Sequence, residues 1–217
     1  MKNYQFFCDF DGTITKEDTL NKFLHDYAKA EWLEVEDRWI KGEIGSRQCI
    51  EEQMQLFPFI HEKVLNDFID SIEIDKTFPA FLKYLRQENI DFYIVSDGFD
   101  LFIQKILERN KICDVKIFSN KLKFDKNKGS FETSFPNTNV DCKRQSGVCK
   151  CNVLKSNRIV TKGVLYAGDG LSDYCVCNQA DILFAKGALL EYCKNTRMNN
   201  LIGFSSFVEI EEYIKRL

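Results

Sequence analysis

Residues 4–15 read Tyr-Gln-Phe-Phe-Cys-Asp-Phe-Asp-Gly-Thr-Ile-Thr, and this stretch limits the fold more than any other. Phe6 to Cys8 is an apolar run too short for a helix, which predicts a buried strand. It ends on two carboxylates, Asp9 and Asp11, with Gly12 behind them. At strand spacing the two point to one side, unless the turn at Gly12 re-aims the second. Like charges that close repel, and placing them against a core adds a desolvation cost. A metal ion or a shared proton removes it. The plainer reading is a capped turn before a helix, because Asp, Gly and Thr are ordinary turn residues. The rest of the chain decides between the two.

Residues 19–68 carry helical periodicity throughout. Leu20, Phe23, Leu24 and Tyr27 recur at helix spacing, as do Trp32, Val35 and Trp39. Gly42 and Gly45 break the run, Ser46 is placed to cap a helix through Ile50 and Met54, and a further helix is expected over Glu62–Ser71. Strands then alternate with helices. Thr77 is expected to cap a helix with Pro79 in its first turn. Strands are expected at 92–95, 115–118, 164–167 and 182–185, and a last helix opens on a capping box of Ser206 and Glu209. Leu122, Phe124, Phe131 and Phe135 around Lys126-Asn127-Lys128-Gly129 predict a β-hairpin. The expected architecture is α/β: a doubly wound parallel sheet of Rossmann type, with an appended hairpin and an inserted helical cap. The core takes 1–15 and 76–217, the cap 16–75.

Three expected strands end in small polar turns: Asp9 to Gly12, Ser96-Asp97-Gly98, and Gly168-Asp169-Gly170-Leu171-Ser172-Asp173. In an open parallel sheet, ligands bind beyond the C-terminal strand ends. Converging aspartates with a serine and a lysine suit Mg²⁺ and a phosphate. Mg²⁺ takes oxygen ligands and keeps waters, so one or two carboxylates plus phosphate suffice. Asp9 and Asp169 are the candidate side-chain ligands, with the Asp11 carbonyl a third and Asp173 orienting or binding through water. Asp9 is the candidate nucleophile and Asp11 the candidate acid and base. Ser96, Asp97 and Gly98 are candidates for holding phosphate. Lys143, Lys150 and Lys155 are the candidates for the lysine role.

Asp9-Phe10-Asp11-Gly12-Thr13-Ile14-Thr15 resembles the first motif of the haloacid-dehalogenase-like (HAD) phosphohydrolases. Ser96 resembles their second motif, Gly168 to Asp173 their fourth, and the helical insert their mobile cap; Lys150, at a family-like distance of 19 residues before Asp169 (169 − 150 = 19), is the lysine that the resemblance prefers. The resemblance covers most of the chain. It implies an Mg²⁺-dependent phosphomonoester hydrolase that passes through an aspartyl-phosphate. Within the group the chain is most similar to the phosphoserine-phosphatase-like branch. Glu31-Trp32, Cys149-Lys150, Phe184-Ala185-Lys186 and Leu189 to Cys193 are similar to the methionine-salvage phosphatases acting on 2-hydroxy-3-keto-5-methylthiopentenyl-1-phosphate. The same stretches resemble phosphoethanolamine/phosphocholine phosphatases. Asp97 stands where the methionine-salvage family usually has glycine. In the cap, Glu17, Asp18, Arg47 and Phe57 are candidates for setting specificity. A phosphonatase would need a Schiff-base lysine there, for which Lys22, Lys29 and Lys41 are candidates. A non-catalytic phosphate-binding protein is the alternative of another class, and it would be expected to lose Asp9 or Asp11.

A net charge of −3 over 217 residues gives no support to nucleic-acid binding. No apolar run approaches the ~20 residues that span a bilayer, and the first residues lack a signal-peptide pattern. A cytoplasmic protein acting on a small phosphate monoester, monomeric or homodimeric, is the expectation. Nine cysteines, an odd number, are then read as thiols. Cys142, Cys149, Cys151, Cys175, Cys177 and Cys193 lack two C-x-x-C knuckles, which argues against zinc. His25 and His61 are read as surface or packing residues, and Trp32 and Trp39 as cap core.

Overall fold

The computed structural model describes residues 3–217; Met1 and Lys2, at the start of the expected core, lie outside the described residues. β1 (Tyr4–Cys8) lies between β2 (Asp91–Phe99) and β5 (Gly163–Gly168), parallel to both. β3 (Lys116–Asp125), β6 (Ile182–Ala185) and β7 (Leu201–Gly203) extend the sheet in parallel, and β4 (Ser130–Ser134) returns antiparallel along β3. The sheet order is β4-β3-β2-β1-β5-β6-β7, so β1 occupies the middle. The α/β architecture and the hairpin are as the sequence predicts. β7 was not foreseen: three residues at a sheet edge are too few to show a period.

β1 alternates strictly. Phe6 and Cys8 join a core with α5 (Phe78–Gln87), α6 (Asp100–Arg109) and α9 (Phe207–Arg216) on one face. Phe7 joins a second core with α7 (Lys150–Asn157) and α8 (Gly187–Asn195) on the other. Burial on both faces explains why these strands read as unbroken apolar runs.

Three capping expectations are corrected. Gly45, not Ser46, is the N-cap of α3 (Ser46–Met54), and Ser46 Oγ donates to Asp97 at 2.7 Å instead. Thr77 makes no side-chain cap; its hydroxyl donates to Asp75 Oδ1 at 2.6 Å and accepts from Phe207 N at 3.1 Å. Glu209 reaches back to Ser205 N at 3.1 Å, one residue before the expected Ser206.

The helical insert holds α1 (Thr19–Tyr27), α2 (Trp32–Ile40), α3 and α4 (Glu62–Ser71). It leaves and re-enters the core side by side, through a bridge between Thr15 and Ile74. Phe23 of α1 anchors it. Its ring lies 4.6 Å from Phe57, 4.7 Å from Phe68, 5.3 Å from Phe102 on α6 and 5.8 Å from Phe131 on β4. Each such pair adds about 0.5–1.5 kcal/mol beyond area burial. α2 buries no residue fully; it leans on α3, above the C-terminal ends of the strands.

Candidate active site

The register of β2 and β3 makes one wall of the site. Val95 pairs with Phe118 and Phe99 with Asn120, so β2 advances from 95 to 99 while β3 advances from 118 to 120. Two extra residues bulge out, and Ser96, Asp97 and Gly98 face the cavity. Ser96 Oγ donates to Asp11 Oδ2 at 3.1 Å and accepts from Gly98 N at 2.9 Å. Gly98 is needed for space: a Cβ there would stand 2.3 Å from Asp11 Oδ2. The Asp97 carboxylate turns elsewhere. It accepts from Ser46 Oγ at 2.7 Å, Val148 N at 2.7 Å and Asn120 Nδ2 at 3.5 Å, tying the bulge to the insert and to the loop before α7.

β1 and β5 make the floor. Asp9 follows β1; its Oδ1 accepts from Phe10 N at 2.7 Å and its Oδ2 from Lys150 Nζ at 2.7 Å. Gly12, at φ 68°, turns the chain so that Asp11 points up to Thr19, whose N donates at 3.1 Å and whose hydroxyl also donates. A Cβ on Gly12 would meet Asp169 Oδ2 at 2.3 Å. Thr13 Oγ1 donates to Asp169 Oδ1 at 3.0 Å. Asp173, in a short 3-10 helix over Leu171–Val176, is fully engaged. Its Oδ1 accepts from Lys150 at 2.7 Å and Tyr166 at 2.6 Å, its Oδ2 from Asp169 N at 3.0 Å and Gly170 N at 3.1 Å.

The electrostatics follow from burial. Desolvation and the Asp173 charge push Asp9 well above the usual carboxylate range, against the pull of Lys150. Desolvation raises Asp11 as well, against hydrogen bonds from Thr19 and Ser96. Asp169 rises to about 6, through desolvation and then Asp173. Burial alone would lower the Lys150 ammonium, but Asp173 and Asp9 outweigh it and hold it high. The floor therefore stores uncompensated negative charge.

Asp9, Asp169 and Asp173 bring carboxylate oxygens within 4.8 Å of one another. One lysine cannot neutralise three carboxylates, and oxygen-only donors suit a hard divalent cation, so these residues fit Mg²⁺. Asp9 and Asp169 would supply side-chain oxygens. Asp173, spent on four hydrogen bonds, would orient Lys150 and the Asp169 turn. The Asp11 carboxylate points away from this group, toward Thr19 and Ser96.

Above the floor lies a cavity of about 360 Å³. The insert lines it with Glu17, Asp18, Glu36, Trp39, Ile50 and Gln53. Trp39 is thus cavity wall, where the sequence suggested cap core; Trp32 does pack on the core. Two specificity candidates lie elsewhere: Arg47 leans to Glu51 at 3.8 Å, and Phe57 stacks on Phe23. Lys22 pairs with Glu17 at 3.0 Å and Lys41 with Asp37 at 2.5 Å. The sequence missed Thr13, Thr19 and Tyr166, which hold the aspartates. Thr13 lay inside the first motif, but Tyr166 had only the signal of a strand residue.

A family model described as Putative Phosphatase matches residues 5–188. The chain belongs to that family. The enzyme is accordingly a phosphomonoester hydrolase with a HAD-like fold. It is 27% identical over 214 residues to the 2-hydroxy-3-keto-5-methylthiopentenyl-1-phosphate phosphatase of Bacillus thuringiensis (strain Al Hakam), covering 98% of this chain and 96% of the relative. The protein of that name from Bacillus cereus (strain ATCC 10987 / NRS 248) is 28% identical over the same coverage. Among solved structures, a phospho-aspartyl intermediate analogue of phosphoserine phosphatase superposes with a TM-score of 0.72 at 18% identity, covering 98% of this chain and 99% of that one. A substrate-bound phosphoserine phosphatase complex gives 0.70 at 17% identity, with the same coverage.

Proposed function

We propose that this enzyme is an Mg²⁺-dependent hydrolase of a small phosphorylated metabolite that works through an aspartyl-phosphate on Asp9. The observation that carries the reading is the floor itself: Asp9 between Lys150 and the Asp169–Asp173 turn, with Asp11 held apart by Thr19 and Ser96.

Bound Mg²⁺ would neutralise the carboxylates and the phosphate dianion, which otherwise repel. An Asp9 carboxylate oxygen attacks phosphorus; a P–O bond forms to Asp9 and the bond to the leaving oxygen breaks. Asp11, whose raised affinity for a proton suits an acid, delivers that proton to the departing alkoxide. Water then attacks the phosphoryl group, Asp11 takes its proton, and Asp9 is regenerated as inorganic phosphate leaves. Lys150 pairs with Asp9 and with phosphate, and Ser96 donates to a phosphate oxygen. Residues 16–75 act as the cap, α2 and α3 closing over the substrate and excluding water. A cavity of about 360 Å³ is near the small end of ligand sites, ~300–1,000 Å³.

On substrate, similarity to the Bacillus phosphatases along the whole chain supports 2-hydroxy-3-keto-5-methylthiopentenyl-1-phosphate. The cavity wall supports a second reading. Glu17, Asp18 and Glu36 with Trp39 favour an ester carrying an ammonium group, such as phosphoserine, phosphoethanolamine or phosphocholine. Phosphate release from these esters, with Mg²⁺ and with chelator, separates the readings. Magnesium-dependent release that Asp9→Asn abolishes, while the circular dichroism spectrum stays unchanged, is the expected result. Turnover retained by Asp9→Asn would remove the nucleophile. No release from any ester by folded, Mg²⁺-loaded protein would favour a binding protein instead.

A further inference from the structure

We propose that Asp97 is a positioning residue. Acting through Ser46, it seats helix α3 over the cavity and ties the insert to the bulge that holds phosphate. The inference rests on the insert closing over the substrate, as assigned above.

The root of the insert is secured without Asp97. Phe23 and Phe68 pack on Phe102 of α6, with ring centroids 5.3 and 5.8 Å away, and Arg109 donates to the Ile69 carbonyl at 2.7 Å. The part above the site has less to hold it. α2 buries no residue fully. Ile50 and Met54 of α3 join the core, but apolar contact is non-directional and does not set the rotation of a helix. Between Trp32 and Met54, two hydrogen bonds reach the core among the described residues, both from the first turn of α3. Ser46 Oγ donates to Asp97 Oδ2 at 2.7 Å, and Arg47 N donates to the Gln145 carbonyl at 3.2 Å. Gly45 permits the approach, since a Cβ there would stand 2.5 Å from Gln145 Cβ. The Arg47 N–H is one of the orphan donors at any helix start. The Ser46 bond ends on a charged group, and bonds of that kind are the stronger ones.

This contact works as a latch because of what lies at its two ends. Ser46, Cys49, Ile50 and Gln53 recur at helix spacing, and all four line the cavity. Lifting or turning α3 at its first turn would move that whole face. It would also move Glu36, whose Oε2 accepts from Gln53 Nε2 at 2.8 Å. On the core side, Asp97 directly follows Ser96 in the bulge. Its carbonyl accepts from Asn120 Nδ2 at 2.5 Å and its Oδ1 from Val148 N at 2.7 Å, so the carboxylate is held in place on its own side. Val148 lies two residues before Lys150. One side chain thus joins α3, the bulge and the segment leading to the buried lysine. A carboxylate this near a phosphate site opposes a dianion, so its presence needs a use. Alanine at 97 would leave the Ser46 hydroxyl and the Val148 N–H without this partner.

The test is hydrogen exchange of the full chain, read beside steady-state phosphate release. Ser46→Ala opens the latch and leaves Val148 and Asn120 on Asp97. Amides of residues 32–54 should then exchange faster, while those of β1 and β5 keep the rates of the unaltered chain. A site that must first close binds more weakly in proportion to the fraction closed. KM for the preferred ester should therefore rise about tenfold, the low end for losing a hydrogen bond to a charged group, with kcat falling less. Inorganic phosphate, which needs only the floor and the bulge, should inhibit Ser46→Ala with an unchanged inhibition constant. Asp97→Ala should show the same faster exchange and a larger rise in KM, because the bulge is freed as well. The double variant should be no worse than Asp97→Ala, since both changes break one contact. Unchanged exchange over 32–54 in Ser46→Ala would overturn the proposal. So would losses in KM that add in the double variant, or a phosphate inhibition constant that rises in step with KM. If Asp97→Ala does not fold, Ser46→Ala decides alone. Failure of the unaltered chain to release phosphate would remove the reaction assigned above, and the exchange rates would still decide the latch.

Discussion

Lys150 Nζ lies 2.7 Å from Asp9 Oδ2, and the two side chains are 1% and 6% exposed. A second contact of 2.7 Å ties the same ammonium to Asp173. Replacing Lys150 with Met would leave the carboxylates in a dry site without their cation. Breaking a buried pair from one side costs about 3–5 kcal/mol, so Lys150→Met should lose about that much near pH 8 and show no turnover. The loss should shrink as pH falls, because protonating Asp9 removes the uncompensated charge. Lys150→Arg should not restore activity, since the planar guanidinium cannot occupy a site shaped for a compact ammonium. Urea unfolding at several pH values, beside phosphate release, checks each point.

Asp11 differs from Asp9 in its partners: Thr19 and Ser96 hold it toward the insert, away from Lys150. If it protonates the leaving group, its removal should matter most when that group is a poor one. Asp11→Asn is expected to slow hydrolysis of alkyl phosphates by about 10²–10⁴-fold. A phenolic ester with an acidic leaving group should lose far less in the burst of phenol. Equal losses for both esters would instead place Asp11 in binding. The amide can still accept from Thr19, so folding stability should change little.

How much of this was legible beforehand depends on distance along the chain. Asp9, Asp11, Asp169 and Asp173 were readable because each sits in a turn after an apolar strand run, where fold class alone fixes the neighbourhood. Lys150 was readable from the residues only as one of three lysines; the family resemblance, with its 19-residue interval to Asp169, preferred it, and burial against two carboxylates is a tertiary fact. Trp39 was misread because a tryptophan at helix spacing looks the same whether its face meets a core or a cavity. Ser46 looked like a cap because serine before a helix usually is one; its hydroxyl instead found Asp97, 51 residues away.

Asp18 gives the chain a pH signature. It caps α1 by accepting from Asn21 N at 2.8 Å, and desolvation followed by the Asp11 charge raises it to about 7. Solvent reaches it from the cavity, which screens the effect and reduces its size. A carboxyl group with a raised folded-state pKa binds its proton more tightly in the native state. Its contribution is therefore favourable below the unfolded value near 4 and is lost as pH climbs to about 7. Chelator-treated protein should lose stability across that window. Asp18→Asn, which keeps the cap, should flatten the profile; an unchanged slope would assign it to other carboxyls.

Glu36 decides between the two substrate readings. It lines the cavity beside Trp39, with Oε2 accepting from Gln53 Nε2 at 2.8 Å. A carboxylate placed there attracts an ammonium group and does nothing for a neutral thioether. Glu36→Gln keeps the shape and removes the charge. For phosphoethanolamine or phosphocholine, KM should rise about fivefold, on the order of the 1 kcal/mol that a partly exposed ion pair supplies, with kcat little changed. For 2-hydroxy-3-keto-5-methylthiopentenyl-1-phosphate the same substitution should leave KM unchanged or lower it, because a negative wall opposes a phosphate dianion. A rise in KM for both kinds of ester would mean that Glu36 shapes the wall through Gln53 and makes no contact with charge on the substrate.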